Sequence, residues 1–515
     1  MGDPPLQTAE AVLARLGLAA DTALPALRAL GLWSADGPRP GAWGVVEALG
    51  ESPNPDHALK ALTRLAEHRT EAWAQLRANE GLVARTAIVA GASPALADLL
   101  VISQPALDVL TGELEPWSVA AARRACAQEL AAQASNAQPG GGLTSAAQVL
   151  AGLQRRGLLR IAARDLLGMA DTPTIAAELA DLAQGVLSAA FETVLGEDHA
   201  RTRVAVIAMG KLGGRELNYV SDVDVIFVHD GDLAQATKAV ERFIRLMDAV
   251  TPDGRAYQLD ANLRPEGRDG PLVRNLKSYA SYYERWARTW EFQALIKARP
   301  IAGDAALGRD FVALVQPYLW PDRLDPSAVE DVQRMKLRVE DSREVQRAGN
   351  RQVKLAPGGL RDIEFAVQLL QLVHGRHDPA LRSPNTLEAL AALSEGGYVG
   401  EDDAGLFHDA YVFLRTVEHR LQLARLRRTH TLPGNATDRA RLARSMGFRD
   451  TPERDALGAF DAQLTRVQTH VRRLHEKLFY RPLLSRFAQF GAAEQVALGD
   501  GEGGLADDAS RDRLA

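Results

Sequence analysis

Cysteine is nearly absent from the 515-residue chain, in which Cys126 is the only one. No intrachain disulfide can therefore form, and no zinc site built on several thiolates is available, which fits a reducing compartment. Aromatic residues make up only 6% of the chain, and 66 acidic residues slightly outnumber 60 basic ones. This composition argues against nucleic-acid binding, whether by base stacking or by a basic surface, and against attachment to an anionic membrane.

Long apolar runs are also missing. The first residues, MGDPPLQTAE, carry Asp3 and Glu10 and lack the basic and apolar stretches of a signal peptide. No apolar run approaches the ~18 residues that a membrane span needs. We therefore expect a soluble, cytoplasmic protein. Lysine is scarce as well: of the 60 basic residues 8 are lysines and 52 are arginines, so solubility alone is a poor explanation for a retained lysine.

The pattern of apolar residues divides the chain into four parts. Helical periodicity dominates the start and the later part, whereas short β-branched runs between them predict strands at 203–210, 221–230 and 256–260. The predicted fold class is α+β, mostly helical overall. The predicted parts are an N-terminal helical region at 1–138, a catalytic domain at 145–320, a C-terminal helical bundle at 325–485, and a tail or linker at 486–515.

Most of the longer predicted helices lie outside the strand-rich part. They are placed at 145–195 with a break near Pro173, and at 234–250, 329–346, 360–374, 404–427 and 455–479.

Two carboxylates mark the start of the second predicted strand, in SDVDVIFVHD. Asp222 and Asp224 are two residues apart, so both side chains point to the same face of the strand. The apolar run that follows predicts a buried strand, where two like charges are costly unless a cation compensates them. Oxygen ligands of this kind suit a hard divalent cation. An exposed strand end with incidental acids is the alternative.

A glycine-rich turn precedes this pair, in MGKLGGRELNYVS. Gly210, Gly213 and Gly214 permit close backbone approach to a ligand, and Lys211 adds a positive charge. The segment GRELN is predicted to start a helix whose N-terminus attracts phosphate, with Ser221 close to the pair. The turn matches neither the Walker loop nor the dinucleotide-binding fingerprint.

A third carboxylate, Asp260, ends the next predicted strand and can complete a two-metal site for in-line phosphoryl transfer. Four cationic residues that follow are candidate phosphate ligands, for which a plain surface charge is the alternative: Arg264, Arg268, Lys297 and Arg299. Lys297 is the strongest of them because apolar residues flank it in ALIKARP.

Other chemistry finds less support. The histidines show no zinc-protease spacing and no serine lies in a G-x-S-x-G context. Asp362 and Glu364 fall in the first turn of a predicted helix, where they either cap the helix or lie near the metal. His419 is expected to be a packed or paired core residue.

Several segments in order resemble glutamine synthetase adenylyltransferase/adenylyl-removing enzymes. They are GASPALADLL, GKLGGRELNYVSDVDVIF, LDANLRPEGRDGPLV, WEFQALIKARPIAGD, PGGLRDIEFAVQLLQLVHG and FLRTVEHRLQ. The resemblance implies a polymerase-β-like nucleotidyltransferase fold, with Asp222, Asp224 and Asp260 as catalytic ligands of two Mg²⁺ ions. It also implies nucleotide or phosphate contacts at the glycine-rich turn, where Gly210-Lys211 and Gly213-Gly214 compete for that role.

Family members carry two catalytic halves, and this chain resembles one. The helical leader and the versions GGLRDIEF and LRPEGRDGPLV look more like the amino-terminal half, which removes AMP from an adenylylated tyrosine of glutamine synthetase using phosphate and releases ADP. The tail would then lead toward a second half. The implied partners are glutamine synthetase, a PII-type signalling protein, phosphate, ADP and ATP. The alternatives are adenylylation with ATP on the same fold, and a non-catalytic regulatory module.

Overall fold

The computed structural model describes residues 9–35, 37–136, 142–195, 202–321 and 349–480. The helix predicted at 329–346, the tail at 486–515 and most of the glycine-rich stretch after residue 138 lie outside these residues. Within them the protein is mostly helical, with one five-stranded sheet and one small two-stranded sheet.

The N-terminal part is a group of short helices whose starts follow simple capping rules. Asn54 caps one and Ser93 another, and a proline occupies the first position after each cap. A two-residue hairpin, β1 (Trp33–Ser34) with β2 (Gly37–Pro38), lies among them. The helices are α1 (Ala9–Arg15), α2 (Ala20–Ala29), α3 (Trp43–Glu51), α4 (Pro55–His68), α5 (Thr70–Arg77), α6 (Glu80–Ala92), α7 (Pro94–Ile102), α8 (Gln104–Thr111) and α9 (Val119–Asn136).

Two long helices, α10 (Gly142–Leu166) and α11 (Thr172–Leu195), lead into the larger sheet. Its strand order is β5-β4-β3-β7. Strand β6 also pairs with β4, at residues that follow those paired with β5. The central pairs are antiparallel, whereas β5 and β6 run parallel to β4. The elements of this part are β3 (Thr202–Ala208), α12 (Gly210–Gly213), β4 (Val223–Gly231), α13 (Leu233–Asp248), β5 (Leu259–Asp260), β6 (Val273–Asn275), α14 (Leu276–Arg285), α15 (Thr289–Leu295), β7 (Arg299–Gly303) and α16 (Ala305–Leu319).

Both faces of the sheet are covered. Val225 and Phe227 of β4 join a core that includes α11, α13 and the N-terminal helices. The alternate residues Ile226 and Val228 pack with Tyr279 of α14 and residues of α16 on the opposite face. Asp224 shares this second face by alternation, near the start of β4, and is partly buried.

The C-terminal part has its own apolar core and packs against the sheet unit through α19. Its helices are α17 (Leu360–His374), α18 (Thr386–Glu395), α19 (Glu401–Arg425), α20 (Ala436–Ser445) and α21 (Ala456–His475). Thr172 at the start of α11 and Thr416 of α19 share a hydrogen bond of 2.6 Å across the junction. The part of the chain that contains the larger sheet therefore lies between two helical regions.

Most predicted elements are confirmed within a few residues, and two differ. The third strand is only Leu259–Asp260, because the residues before it lie in bends and turns. The helix expected from GRELN is wrong: the single helical turn lies earlier, at Gly210–Gly213. Arg215 has a φ of 55°, and the Arg415 guanidinium donates hydrogen bonds to the carbonyls of Glu216 and Leu217. These residues therefore do not continue the helix.

Among the described residues, no single helix is long and apolar enough to cross a membrane. One pair, α7 with α8, meets that test of length and composition only when combined, and it bends by 106° between the two helices.

Candidate active site: a carboxylate pair beside a basic cavity

Two of the three predicted carboxylates meet at the end of the sheet. Strands β4 and β5 are parallel, and their register places Asp224 opposite Asp260. The amide of Met209 donates to the carbonyl of Asp224 at 2.9 Å, which closes the turn from β3 onto the pair. Gly210 has a φ of 52°, and a Cβ there would lie 2.3 Å from Oδ2 of Asp224. Glycine is therefore required beside the carboxylate.

The charge of Asp224 is poorly compensated. Burial and the neighbouring Asp260 raise its pKa to about 6, against the opposing effects of Lys354 and Lys211. Oδ1 of Asp260 accepts the amide of Asn262 at 2.8 Å. In the part of the chain that the structure describes, no hydrogen bond or ion pair to the Asp224 carboxylate is found. A partly buried carboxylate pair of this kind is suited to an oxygen-seeking divalent cation.

Asp222 is turned to a different partner. Its carboxylate forms an ion pair with Arg428, in the loop that follows α19, while the hydroxyl of Ser221 donates to the Asp222 carbonyl at 2.8 Å. Accordingly, no three acidic, histidine or cysteine side chains within the described ranges converge into a group that could hold a metal ion. The pair Asp224–Asp260 is preassembled, and Asp222 is adjacent but engaged.

Lys211 of the glycine-rich turn points into the protein. Its ammonium lies 3.3 Å from Glu364 and 3.9 Å from Glu418, and burial lowers its pKa. Burial alone would raise the pKa of Glu364, but Lys211 and Lys354 outweigh it and hold the value at about 2. These contacts of Lys211 with Glu364 and Glu418 join the turn to α17 and α19.

The other two glycines of the turn approach protein backbone. A Cβ on Gly213 would lie 1.8 Å from the carbonyl oxygen of Lys297, and one on Gly214 would lie 2.8 Å from that of Pro384. In this structure the close approach permitted by these glycines is to the segment just before β7 and to the loop before α18. Of the turn, Gly210 is the glycine that adjoins the carboxylates.

Lys297 and Arg299 hold this turn from the β7 side. The Lys297 ammonium donates to Glu216 at 2.6 Å and to Thr386 at 3.2 Å, and the residue is 8% exposed. The Arg299 guanidinium donates to the carbonyls of Gly213 and Leu212 and to the side chain of Gln184. Their observed partners are protein groups, so in this structure both residues position the turn.

Arg264 and Arg268 lie in the loop after β5. Arg264 donates to the carbonyls of Ala261, Arg268 and Gly270, and it thereby fixes the loop that follows Asp260. Arg268 is exposed, with Nε 3.3 Å from Oδ1 of Asn262. Of this pair, Arg268 is the residue whose charge is open to solvent.

A basic cavity of about 570 Å³ lies beside the carboxylates. It connects to them through the Arg428–Asp222 ion pair and through Lys354, whose charge acts on Asp224. The amide of Val353 donates to the carbonyl of His430 at 2.9 Å, so the two loops that form the cavity are joined by backbone. The lining residues are Lys354, Leu355, Arg361, Arg428, Thr429, His430 and Thr431.

Sequence reasoning did not assign Lys354 or Arg428 to the site. The scarcity of lysine was a usable signal for Lys354, because it stands three residues before the PGGLRDIEF motif. Arg428 carried no such signal among 52 arginines. Its position depends on how α19 packs against the sheet unit, which no local pattern specifies.

Three further expectations concern the C-terminal helices. Asp362 accepts the amide of Gly358 at 2.7 Å, which is a capping contact at the start of α17. Glu364 instead reaches Lys211, beside the carboxylate site. His419 is 1% exposed and packs edge-on against Tyr219, with ring centroids 5.2 Å apart, so its expected core role is confirmed.

Comparisons with known proteins match two successive segments. Residues 83–313 match the family model described as glutamate-ammonia ligase adenylyltransferase, and residues 330–479 match the one described as GlnD PII-uridylyltransferase. A protein of Streptomyces coelicolor named bifunctional glutamine synthetase adenylyltransferase/adenylyl-removing enzyme is 47% identical over 91% of this chain and 46% of its own length. Proteins of the same name from Mycolicibacterium smegmatis and Mycobacterium tuberculosis are 43% identical, over 91% and 86% of this chain and 47% and 45% of their own lengths.

The chain is homologous to the bifunctional glutamine synthetase adenylyltransferase/adenylyl-removing enzymes. This confirms the family recognised from the sequence motifs. The chain spans about half the length of the curated relatives it matches.

The two family matches divide the candidate site between them. The carboxylate pair Asp224–Asp260 lies in the adenylyltransferase segment, whereas Lys354, Arg361 and Arg428 lie in the uridylyltransferase segment. Both matched descriptions name enzymes that transfer nucleotidyl groups. The cavity therefore lies where the acids of one segment face the cations of the other.

Proposed function

We propose that the chain removes AMP from an adenylylated tyrosine of glutamine synthetase by phosphorolysis, taking up phosphate and releasing ADP. The observation that carries this proposal is the partly buried pair Asp224–Asp260 at the edge of a cavity lined by Lys354, Arg361 and Arg428. Acids that bind a divalent cation and cations that bind phosphate are the two requirements of phosphoryl transfer. The names of the relatives supply the protein substrate.

The fold is proposed to be that of the polymerase-β-like nucleotidyltransferases. Support comes from a small mixed sheet with helices on both faces and with its carboxylates at the end of two adjacent strands. The short turn at Gly210–Gly213 lies directly beside them, as the resemblance implies for the nucleotide contacts.

Mg²⁺ is the proposed cofactor, as two ions. Asp224 and Asp260 would hold it, and Asp222 would join them once its carboxylate is released from Arg428. The chemical basis for this fit is the uncompensated carboxylate pair, because a divalent cation relieves the repulsion that raises the pKa of Asp224. When bound, the metal would neutralise charge on the attacking and leaving oxygens.

The reaction then requires the chain to hold two phosphorus groups in line. An oxygen of inorganic phosphate forms a bond to the phosphorus of the AMP–tyrosine linkage, the bond to the tyrosine oxygen breaks, and tyrosinate takes a proton from solvent. Lys354 and Arg361 would bind the phosphate dianion, and Arg428 would bind the phosphoryl oxygens once it leaves Asp222. A phenol with a pKa near 10 leaves without a dedicated protein acid.

Phosphorolysis is favoured over the adding direction by the cavity. A removing enzyme must bind a small free dianion, and the cavity places three cations and a histidine within about 570 Å³ beside the carboxylates. The helical region before the sheet and the motif versions named above agree with that half of the family. The match at residues 330–479 supports a PII-type protein as a regulatory partner, and a cytoplasmic location follows from these partners.

The test is to incubate the full chain with adenylylated glutamine synthetase, Mg²⁺ and phosphate, and to measure ADP. We expect phosphate-dependent ADP from the wild type and loss of at least about a thousandfold for Asp224→Asn, because the metal loses a central ligand. Asp230→Asn is the matched control, since Asp230 is exposed on the same strand and pairs with Arg203. Incorporation of AMP from ATP without phosphate-dependent ADP would refute the removing direction.

A further inference from the structure

A second cavity, here called the inter-region cleft, lies between the N-terminal helices and the C-terminal region and encloses about 510 Å³. One wall is formed by the loops before α4 and α7, and the other by the end of α19, the loop after it, and α20. The loop after α19 separates this cleft from the basic cavity, because Arg428, Thr429 and Thr431 line both. The cleft contains none of the three predicted metal ligands.

Cationic groups in the cleft outnumber acidic ones. Asp438 is the acidic lining residue, and its carboxylate is shared by Arg425 at 3.1 Å and Arg441 at 3.0 Å. Arg427 is exposed, and within the described ranges no hydrogen bond or ion pair is found for it. Arg428 and Arg420, which also line the cleft, are paired with Asp222 and Asp165 outside it. Arg425, Arg427 and Arg441 therefore share one lining carboxylate, so the cleft attracts an anion.

Helix starts reinforce this charge. The residue that caps α4, the first residue of α7 and the residue that caps α20 all belong to the lining: Asn54, Pro94 and Asn435. The amide ends of helices carry partial positive charge and favour negatively charged groups. The arginines and the start of α20 thus act on this space from one wall, and the starts of α4 and α7 act on it from the other.

Part of the remaining lining is apolar. Leu421, Leu423 and Ala424 of α19 face the cleft together with Pro433 and Leu442. A site of this volume with apolar walls and a few converging charges is typical of pockets for small organic ligands. A simple inorganic anion would leave the apolar walls without a partner.

We propose that the inter-region cleft binds a nucleoside polyphosphate, with its phosphates on Arg427 and Arg441 and its base against the apolar wall. This site is separate from the one at which the proposed reaction occurs. Because the same loop lines both cavities, a ligand bound in the inter-region cleft would affect the position of Arg428.

The test uses ATP as the probe, titrated calorimetrically into the full chain in EDTA so that metal-dependent binding is suppressed. Arg441→Ala should weaken ATP binding about ten- to a hundredfold, as expected for loss of one charge-assisted phosphate contact. Asp438→Asn should tighten it about two- to fivefold, because it releases two arginines from a competing carboxylate. These opposite signs separate an anion site from general damage to α20, which would weaken binding in both variants.

Two controls locate the site. Arg466→Ala removes an exposed arginine of α21 that is not part of the cleft and should leave ATP binding unchanged. Lys354→Ala alters the basic cavity. If ATP binding is weakened by Lys354→Ala but not by Arg441→Ala, the proposal is overturned. Tripolyphosphate binding as tightly as ATP would also overturn it, because the apolar wall would then contribute nothing. None of these outcomes alters the phosphorolysis assay, so the two proposals fail independently.

Discussion

At the residue scale, two lysines that look alike in sequence have different surroundings. Lys297 is buried against Glu216 and Thr386, whereas the ammonium of Lys354 lines the basic cavity and acts on Asp224. Flanking apolar residues favoured Lys297 as a phosphate ligand. The same apolar context equally suits a buried ion pair, and sequence alone does not show which partner an ammonium will find.

This contrast predicts different defects. Lys354→Ala should raise the phosphate concentration needed for ADP formation about ten- to a hundredfold, because one charge-assisted phosphate contact is lost. Lys297→Ala should instead lower the free energy of unfolding by about 3–5 kcal/mol, because Glu216 is left buried without its cation. Urea unfolding and phosphate-dependent kinetics on both variants measure the two effects. A selective phosphate defect in a fully stable Lys297→Ala protein would return Lys297 to the list of phosphate ligands.

The three predicted metal ligands, Asp222, Asp224 and Asp260, show what the spacing of a sequence motif can predict. Alternation along a strand placed the first two on one face, and the parallel pairing of β4 with β5 brings the third opposite Asp224. Spacing gave no information about Arg428, which pairs with Asp222 from a loop about two hundred residues later. Their assignment as metal ligands stays a prediction, which the adjacent positions of Asp224 and Asp260 support, whereas Asp222 is paired with Arg428.

At the scale of elements, periodicity located helices well where their apolar faces are continuous. Helix α17 begins and ends at the residues predicted from its pattern, Leu360 and His374. The pattern failed at GRELN, where tertiary contacts override the local helix propensity. The Glu216 carboxylate accepts hydrogen bonds from Lys297 and from the amide of Thr386, and Arg415 donates to the Glu216 carbonyl. Contacts with elements far along the chain decided that segment, and such contacts leave no local trace.

Helix α19 carries a buried titratable group whose effect on stability has a defined sign. Burial, together with Arg415, lowers the pKa of His419 to about 3, against an unfolded value of about 6.5. The unfolded chain therefore binds one more proton than the native protein between these values. The stabilising contribution is complete above pH 6.5 and is lost as the pH falls, by about 2 kcal/mol between pH 6.5 and pH 5. The pKa values of His57 and His229 are also lowered and act in the same direction.

The check is urea unfolding of the wild type and His419→Gln at pH 7 and pH 5. The pH dependence of the unfolding free energy gives the number of protons that are bound on unfolding. We expect this number to be about one lower for His419→Gln than for the wild type, whatever the stability of the variant at pH 7. His408→Gln is the control, because His408 is 54% exposed on the same helix. An unchanged pH dependence in His419→Gln would show that His419 is not held neutral in the native protein.

At the scale of the whole molecule, the boundaries predicted at 138/145 and 320/325 stay predictions, and the cores run across part of them. One apolar cluster extends from the N-terminal helices through α10 and α11 to the sheet and reaches Leu423 of α19. Buried polar contacts add to it: Arg415 of α19 binds Glu418, the Glu216 carbonyl and Asn218. The pattern of apolar residues indicated four parts, but it gave no measure of how strongly they are joined.

Cys126 allows that coupling to be measured. It lies in α9 within the large apolar cluster, and burial raises its pKa to about 12, so it should react with thiol reagents only when this region unfolds. Arg415→Ala leaves Glu418 buried without its closest cation, which should cost about 3–5 kcal/mol. If the shared core makes the regions unfold together, this substitution in α19 should speed labelling of Cys126 in the native protein by at least about a hundredfold. Arg466→Ala, an exposed change on α21, should leave the labelling rate unchanged. A destabilised C-terminal region, detected by its proteolysis, with unchanged labelling of Cys126 would show instead that the N-terminal helices and α19 unfold as separate units.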